Sequence, residues 1–471
     1  MVHATTKHIL NKARFPLLAT TLIAILLYSL IASLVFLMQV VNLTIQSPRA
    51  GGHLSSSHSD VRSHHSSSRS QLIDTVSIYP GSKVSTSEGL EQYLDLYKKN
   101  QNYTVMIELN SKIISAIPSP GTIAASHPRN KCWWGKSGSL VCFPGALLVG
   151  FAKCGTSDLY HKLIWHPGVS RLRNGHDNGK ENHWWGINQH KHGHIHRGRP
   201  SFLDYLQNII TPIKFEKSPD KLLIDGSTST VMGQVFKVKG QSWEERLPGY
   251  RYPPYQYSDV IHFIHPRAKI IAMTRNPVDM VWSRYIFFFD NVMLIPRTKA
   301  EILKGPTPER FHDLIVEQIT KFQECMSSPE GDLLYCCHRS ASNDMSHVNI
   351  HTGIFLCFLV GWRERFGDDH MLVLTMEEYS NRPVETVMGV FRFLGLETGN
   401  LDSLGLEVEF EDVANKRTKK RLDVGEMLPE TRRLLSNFYR PYNRILAEYY
   451  HDDKFLFKER LERDVHLGRY W

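Results

Sequence analysis

Residues 146–157 read Ala146-Leu147-Leu148-Val149-Gly150-Phe151-Ala152-Lys153-Cys154-Gly155-Thr156-Ser157, an apolar run that passes through a glycine-bearing loop into a helical pattern. A short continuous apolar run bounded by turn residues predicts a strand buried on both faces. Leu159, Tyr160, Leu163 and Ile164 then share one face at helical spacing, so the unit is strand, loop, helix. The loop has the length of the phosphate loop of nucleotide hydrolases, Gly-x-x-x-x-Gly-Lys-Ser/Thr, but Thr156 stands at the lysine position and the lysine has moved inside, to 153. Successive amides of Gly155, Thr156 and Ser157 at a helix N-terminus still offer a cradle to phosphate, and Lys153 can reach a bridging or leaving oxygen. A loop of this kind also serves purely structural turns, and taken alone it leaves both readings open.

Working outward, Lys221-Leu222-Leu223-Ile224-Asp225, residues 268–274 and Met371-Leu372-Val373-Leu374-Thr375 are further apolar runs that read as buried strands. Helical patterns lie between them. Val384, Val387, Met388 and Phe391 share a face closed by Gly395, and Thr307-Pro308 and Asn276-Pro277 each pair a cap residue with proline at the first helical position. Strands of this kind alternating with helices predict an α/β domain with a central parallel sheet flanked by helices, over residues 140–471. Such sheets bind ligands at the carboxyl ends of their strands. At one such end stands Thr274-Arg275-Asn276-Pro277, with Ser283 about two helical turns further on. A guanidinium and a hydroxyl so placed can share one anion, although a surface arginine and a solvated serine fit the same pattern.

The two motifs in this order resemble the sulfotransferase family that uses 3′-phosphoadenosine 5′-phosphosulfate (PAPS), in particular its membrane-anchored carbohydrate branch. The resemblance implies a P-loop-like sulfotransferase domain in which Lys153, Cys154, Gly155, Thr156 and Ser157 hold the 5′-phosphosulfate while Arg275 and Ser283 hold the 3′-phosphate. Lys180-Glu181-Asn182-His183-Trp184-Trp185 is similar to the Lys-Glu-x-His-aromatic-aromatic segment of glycosaminoglycan sulfotransferases, whose Glu is the catalytic base. A basic loop closes over the donor in the family, and Arg417 and Lys420, within Lys416-Arg417 and Lys419-Lys420-Arg421, match it or contact acceptor sulfates. Residues 427–435 and 438–443 resemble the C-terminal helices of the same branch.

The chemistry of these side chains agrees. Sulfuryl transfer to a sugar hydroxyl needs a proton removed, a donor held in line and charge stabilised on the departing phosphate. Glu181 can take the proton, Lys153 can stabilise the leaving group, and His183 can position the acceptor or the sulfuryl oxygens; none of this requires a metal. Lys180, Trp184, Trp185, Ser227 and Thr228 are the expected acceptor contacts, the tryptophans offering flat apolar faces to a sugar ring or packing into the core. Ser227 and Thr228 lie in Asp225-Gly226-Ser227-Thr228-Ser229-Thr230, which lacks the lysine many glycosaminoglycan enzymes carry there. The resemblance further implies an acidic polysaccharide acceptor, chondroitin or dermatan sulfate at the 6-hydroxyl of N-acetylgalactosamine 4-sulfate, with heparan sulfate or an N-glycan as the alternative.

Residues 15–41 carry no charged side chain and would form about 40 Å of helix, enough for a hydrocarbon core of about 30 Å. That run exceeds the apolar region of a secretory signal, so a membrane anchor is expected. Lys7, Lys12 and Arg14 precede it and the next basic residue is Arg49, which leaves residues 1–14 as a cytoplasmic tail. The expectation is a single-pass type II protein of the Golgi with a luminal stem over 42–135, partly disordered. The Ser- and His-rich stretch at 47–71 is too poor in apolar residues to recover its ordering entropy. The sequons at Asn42 and Asn102 suit the luminal side. There, Cys132 with Cys142, and Cys325 with Cys336 or Cys337, are candidate disulfides, and Cys357 reads as packed core.

Over 471 residues, 56 Lys and Arg against 47 Asp and Glu leave a charge of +9, too small an excess to indicate a nucleic-acid binder. His190, His192, His194 and His196 alternate beside Lys191, Arg197 and Arg199, a poor match to zinc spacings and a better one to a loop facing a polyanion. A glycosyltransferase would share the topology, but its common metal-binding Asp-x-Asp is absent from the sequence. A nucleotide kinase lacks its lysine at 156, and a non-catalytic glycan binder has no use for two phosphate sites. Residues 291–349, with a helix expected over 308–326, suggest no chemical role.

Overall fold

The computed structural model describes residues 86–118, 128–135, 138–172, 180–185, 201–212, 215–218, 220–232, 249–289, 305–343, 348–399 and 424–457. All of them fall in the second of two units, residues 1–70 and 71–471. The anchor at 15–41, the tether, His190 to His196, Arg417 and Lys420 lie outside the described residues. Among the described residues no helix is long and apolar enough to cross a membrane.

A hairpin of β1 (Lys131–Trp134) and β2 (Leu140–Phe143) leads into β3 (Ala146–Gly150), followed by β4 (Val169–Ser170), β5 (Leu222–Asp225), β6 (Lys269–Thr274) and β7 (Met371–Thr375). The last five form one sheet in the order β4-β5-β3-β6-β7, every neighbouring pair parallel. β3 and β5 are buried at every residue and β6 at all but its first, which requires cover on both faces. The chain leaves central β3 for the edge at β4, returns to β5, and then crosses to β6 and β7. Its direction of travel reverses beside β3, where open α/β sheets place their ligands.

Helices α1 (Thr86–Lys99) and α2 (Tyr103–Leu109) precede the sheet; α3 (Thr156–Trp165) follows β3 and α4 (Pro277–Phe289) follows β6. After α4 come α5 (Pro308–Ser327), α6 (Leu333–Asn343), α7 (Leu356–His370), α8 (Pro383–Phe393) and α9 (Pro429–Tyr450). The helices after Thr307-Pro308 and Asn276-Pro277 start as expected. Thr307 Oγ1 accepts from Arg310 N at 3.2 Å and Asn276 Oδ1 accepts from Val278 N at 3.0 Å.

Within residues 42–135, expected as a partly disordered stem, α1, α2 and β1 are ordered and belong to the folded unit. Tyr93, Tyr97 and Met106 are buried, and the Tyr93 hydroxyl donates to the Cys357 carbonyl at 3.2 Å. These apolar side chains are spaced so that one helical face meets the core, a signal that low local hydropathy hid. Asn102 is the N-cap of α2, its Oδ1 accepting from Val105 N at 3.1 Å while its Nδ2 donates to the Tyr250 hydroxyl at 3.3 Å.

Disulfides join Cys132 to Cys142, as expected, and Cys325 to Cys336, one of its two expected partners. Cys357 is not merely packed: it is bonded to Cys337. Residues 308–343 thus gain a structural role, with α5, α6 and α7 stapled in series and Phe322 of α5 packed edge-on against Phe438 of α9 at 5.6 Å. Closing loops of 11 and 20 residues is worth about 3 kcal/mol each in chain entropy.

His338, on α6, is 3% exposed, and burial pushes its pKa down to about 4 from 6.5. Between those values the unfolded chain binds a proton that the fold refuses, so this stabilisation is complete above pH 6.5 and is lost as pH falls toward 4. Urea midpoints should therefore drop between about pH 7 and about pH 5, and drop less for His338→Leu than for the wild type.

Candidate active site

The β3–α3 loop keeps its place at the carboxyl end of the sheet through backbone bonds, Phe151 N donating to Met273 O of β6 at 2.7 Å. Gly155 caps α3 with φ +82°, a conformation that strains residues with a Cβ, and it is this backbone angle, not crowding, that calls for glycine, since a Cβ there would make only ordinary contact with the Met273 methyl at 3.4 Å. Lys153 also has positive φ, 70°, and its Nζ lies 3.9 Å from the centre of the Phe287 ring on α4. Cys154 is fully buried and burial holds its thiol well above the usual range, so what it can offer a ligand is its backbone. Thr156 is 4% exposed.

Arg275 and Ser283 are both 7% exposed, and Arg275 Nη1 donates to the Lys153 carbonyl at 3.3 Å. The two motifs separated by more than a hundred residues thus meet directly. Behind them, Asn276 N donates to Glu377 Oε1 at 2.9 Å, and burial raises the Glu377 pKa against the pull of that bond and of Arg275. Arg284, which the sequence reading did not single out, is equally buried, and its charge acts with those of Arg275 and Lys153 on the Cys154 thiol.

Glu181 and His183 stand at the end of neighbouring β5. The Thr228 hydroxyl lies 3.0 Å from both Glu181 carboxylate oxygens, and Thr228 N donates to Oε2 at 3.3 Å. Lys180 Nζ is paired with Oε1, and His183 Nε2 stands 3.1 Å from Oε2. The His183 Nδ1 is 2.9 Å from Ser229 Oγ. Both Glu181 and His183 are about a quarter exposed, so the carboxylate is gripped from behind and open in front. Val231 N donates to Val149 O at 2.8 Å, which holds this loop against the end of β3 and so beside the Lys153 loop. Lys153, Glu181 and His183 share an uncommon conformation, with φ values of 70°, 60° and 54°. Left-handed non-glycine residues cost about 1–3 kcal/mol each and persist where surroundings enforce them, often at functional sites.

Four of the expected acceptor contacts are differently employed, and a fifth has its position taken up by the carboxylate. Trp184 and Trp185 are 4% and 0% exposed; Trp184 stacks on Tyr205 at 4.9 Å and Trp185 meets Tyr257 edge-on at 5.6 Å. They are core, because the turn after His183 directs both rings inward, away from the cleft. Trp185→Ala should cost about 3–5 kcal/mol of stability, read as a lower urea midpoint. Lys180 is fully buried on Glu181, Ser227 is 1% exposed and bonded within the protein, and the Thr228 hydroxyl is occupied by Glu181. The missed residues are Asp225, Asn182 and Tyr205. Only the position of Asp225 at a strand's carboxyl end signalled it.

Two cavities, of about 390 and 320 Å³, open beside Asn276. The larger is lined by Thr375, Glu377, Arg382 and Lys454 among others, the smaller by Ser436, Asn443, Arg440 and Arg444 of α9; Lys153 and Glu181 line neither.

Carbohydrate sulfotransferase 15 of Homo sapiens is 27% identical to this chain over 347 residues, and that of Mus musculus is 27% identical over 348. Each alignment covers 69% of this chain but 56% of the relative, so the chain spans little more than half the length of the proteins it matches. A solved sulfotransferase from Alicyclobacillus acidocaldarius, 20% identical, aligns over 68% of this chain and all of its own with a TM-score of 0.36. The fold assignment rests instead on the strand order and on the family match. Residues 144–435, which contain the Lys153 loop, Glu181, Arg275 and every strand of the parallel sheet, match the sulfotransferase domain, and the chain belongs to that family.

Proposed function

We propose that this protein transfers a sulfuryl group from PAPS to a hydroxyl of a glycosaminoglycan sugar, by in-line transfer with Glu181 as general base. One observation carries the reading: a partly exposed carboxylate, held by three neighbouring groups, lies at the strand end adjoining a lysine-bearing anion loop. The residues fit such a donor. Gly155, Thr156 and Ser157 open a helix N-terminus, and the buried Arg275 guanidinium, bonded to the loop, supplies a fixed positive charge beside it.

PAPS would bring an activated sulfuryl group and a phosphate leaving group. Lys153 and the loop amides stabilise the charge that develops on that phosphate. Glu181 accepts the proton of the acceptor hydroxyl through whichever oxygen faces the cleft, while Thr228 and Lys180 keep the carboxylate aimed. His183, 3.1 Å from the base, orients the acceptor or the sulfuryl oxygens. Arg275 and Ser283 bind the 3′-phosphate, and Arg417 and Lys420 are assigned to the donor or to sulfates of the acceptor.

The acceptor within this reading is chondroitin or dermatan sulfate, at the 6-hydroxyl of N-acetylgalactosamine 4-sulfate, and the net charge of +9 suits a polyanion. Residues 15–41 anchor the enzyme in the Golgi membrane with the catalytic domain in the lumen. Purified protein incubated with ³⁵S-labelled PAPS and separate chondroitin, dermatan and heparan acceptors should label chondroitin or dermatan. Label on heparan alone would transfer the activity to another glycan, and no label with no PAP binding would end the enzyme reading.

A further inference from the structure

The turn Glu181-Asn182-His183 holds two left-handed residues, and such a turn relaxes unless outside bonds enforce it. Those bonds converge on one side chain that does not touch Glu181. Asp225, the last residue of β5, is 1% exposed. Its Oδ1 accepts from Asn182 Nδ2 at 2.8 Å, from Ser227 Oγ at 2.6 Å and from Ser227 N at 3.0 Å. Its Oδ2 accepts from the Tyr205 hydroxyl at 2.6 Å. Ser227 Oγ in turn accepts from His183 N at 3.0 Å, and Asn182 Oδ1 accepts from Trp184 N at 3.0 Å. One carboxylate therefore grips the turn at its middle residue and, through a serine, at its last.

The anchor beneath it is rigid. Ser201 and Asp204 form a capping box that starts the short helix Phe202–Tyr205, and Tyr205 is stacked on Trp184. Burial raises the Asp225 pKa while its four donors pull it down, and those donors are hydroxyl and amide groups rather than cations. The requirement is thus for acceptors in fixed places. Asparagine can meet it, presenting its oxygen to the same three donors and its amide to the Tyr205 oxygen once that hydroxyl turns to accept.

We propose that Asp225 is a positioning residue for sulfuryl transfer: acting through Ser227 and Asn182, it holds the 181–183 turn so that the Glu181 carboxylate and the His183 imidazole keep their mutual geometry at the cleft. The inference rests on Glu181 being the base. A misplacement of about 1 Å in reacting groups can cost roughly a hundredfold in rate, which sets the scale of the effect. Binding of the donor, governed by the Lys153 loop and Arg275, should be left nearly untouched.

The test measures kcat with ³⁵S-labelled PAPS and chondroitin sulfate, and PAP affinity by calorimetry, on the same preparations. Ser227→Ala, which cuts the link to His183 and leaves the core filled, should lower kcat roughly 10–100-fold with PAP affinity within about threefold. Asp225→Ala should lose at least as much, and Asp225→Asn only about fivefold. In a Glu181→Gln background, Ser227→Ala should cost distinctly less than it does alone, because the part of its effect that passes through the Glu181 carboxylate is already gone and only the part that passes through His183 remains. Wild-type kcat in Ser227→Ala, or a loss in the Glu181→Gln background as large as in the wild type, overturns the positioning role even if Asp225→Ala fails to fold. Wild-type kcat in Glu181→Gln alone overturns the base assignment and this inference with it, so the two failures are read from different variants.

Discussion

Glu181→Gln should reduce sulfuryl transfer roughly 10²–10⁴-fold in kcat while PAP affinity stays within about threefold of the wild type. The substitution keeps the shape of the side chain and its bond from Thr228, and removes the negative charge that makes the group basic enough to take the acceptor proton. Thr228, Lys180 and His183 surround the carboxylate from within the protein, so the loss is confined to the chemical step. A neutral amide beside the Lys180 ammonium leaves that buried cation without its counter-charge, which predicts a modest fall in stability as well. Unchanged turnover in a folded Glu181→Gln protein would remove Glu181 from the chemistry.

Arg275→Ala should weaken PAP binding about a hundredfold, the equivalent of about 3 kcal/mol. The guanidinium is buried, fixed by its bond to the Lys153 carbonyl, and so meets an anion with little left to order. The specific readout is discrimination. Wild-type protein should prefer PAPS strongly over adenosine 5′-phosphosulfate, which lacks the 3′-phosphate, and Arg275→Ala should bind the two nearly alike. A variant that loses affinity for both ligands equally would show that Arg275 only shapes the loop.

What could be read from the residues alone was what depends on neighbours in the chain. The strands at 222–225, 269–274 and 371–375 announce themselves by unbroken apolar runs, and the helices after Thr307 and Asn276 by a cap followed by proline. The meeting of Lys153 with Arg275 was legible because strand ends of one parallel sheet gather at one edge. Side-chain direction was not legible. Whether Trp184 and Trp185 face a sugar or the core depends on the left-handed His183 before them, and the dipeptide is the same in either case. Ser227 and Thr228 have hydroxyls that suit a ligand or a carboxylate equally, and only the fold brings Asp225 and Glu181 to them. The Cys337–Cys357 bond escaped because an apolar helix around Cys357 looks the same whether its sulfur is paired or not.

The proposed reaction is direct transfer from PAPS to a sugar hydroxyl, with no sulfuryl group resting on the protein. A single-turnover quench, with enzyme in excess over ³⁵S-labelled PAPS and chondroitin sulfate added last, measures it. Label should leave PAPS and enter the glycan with one rate constant and never precipitate with protein. Label trapped on the protein, or PAPS consumed without any gain in the glycan, would contradict it.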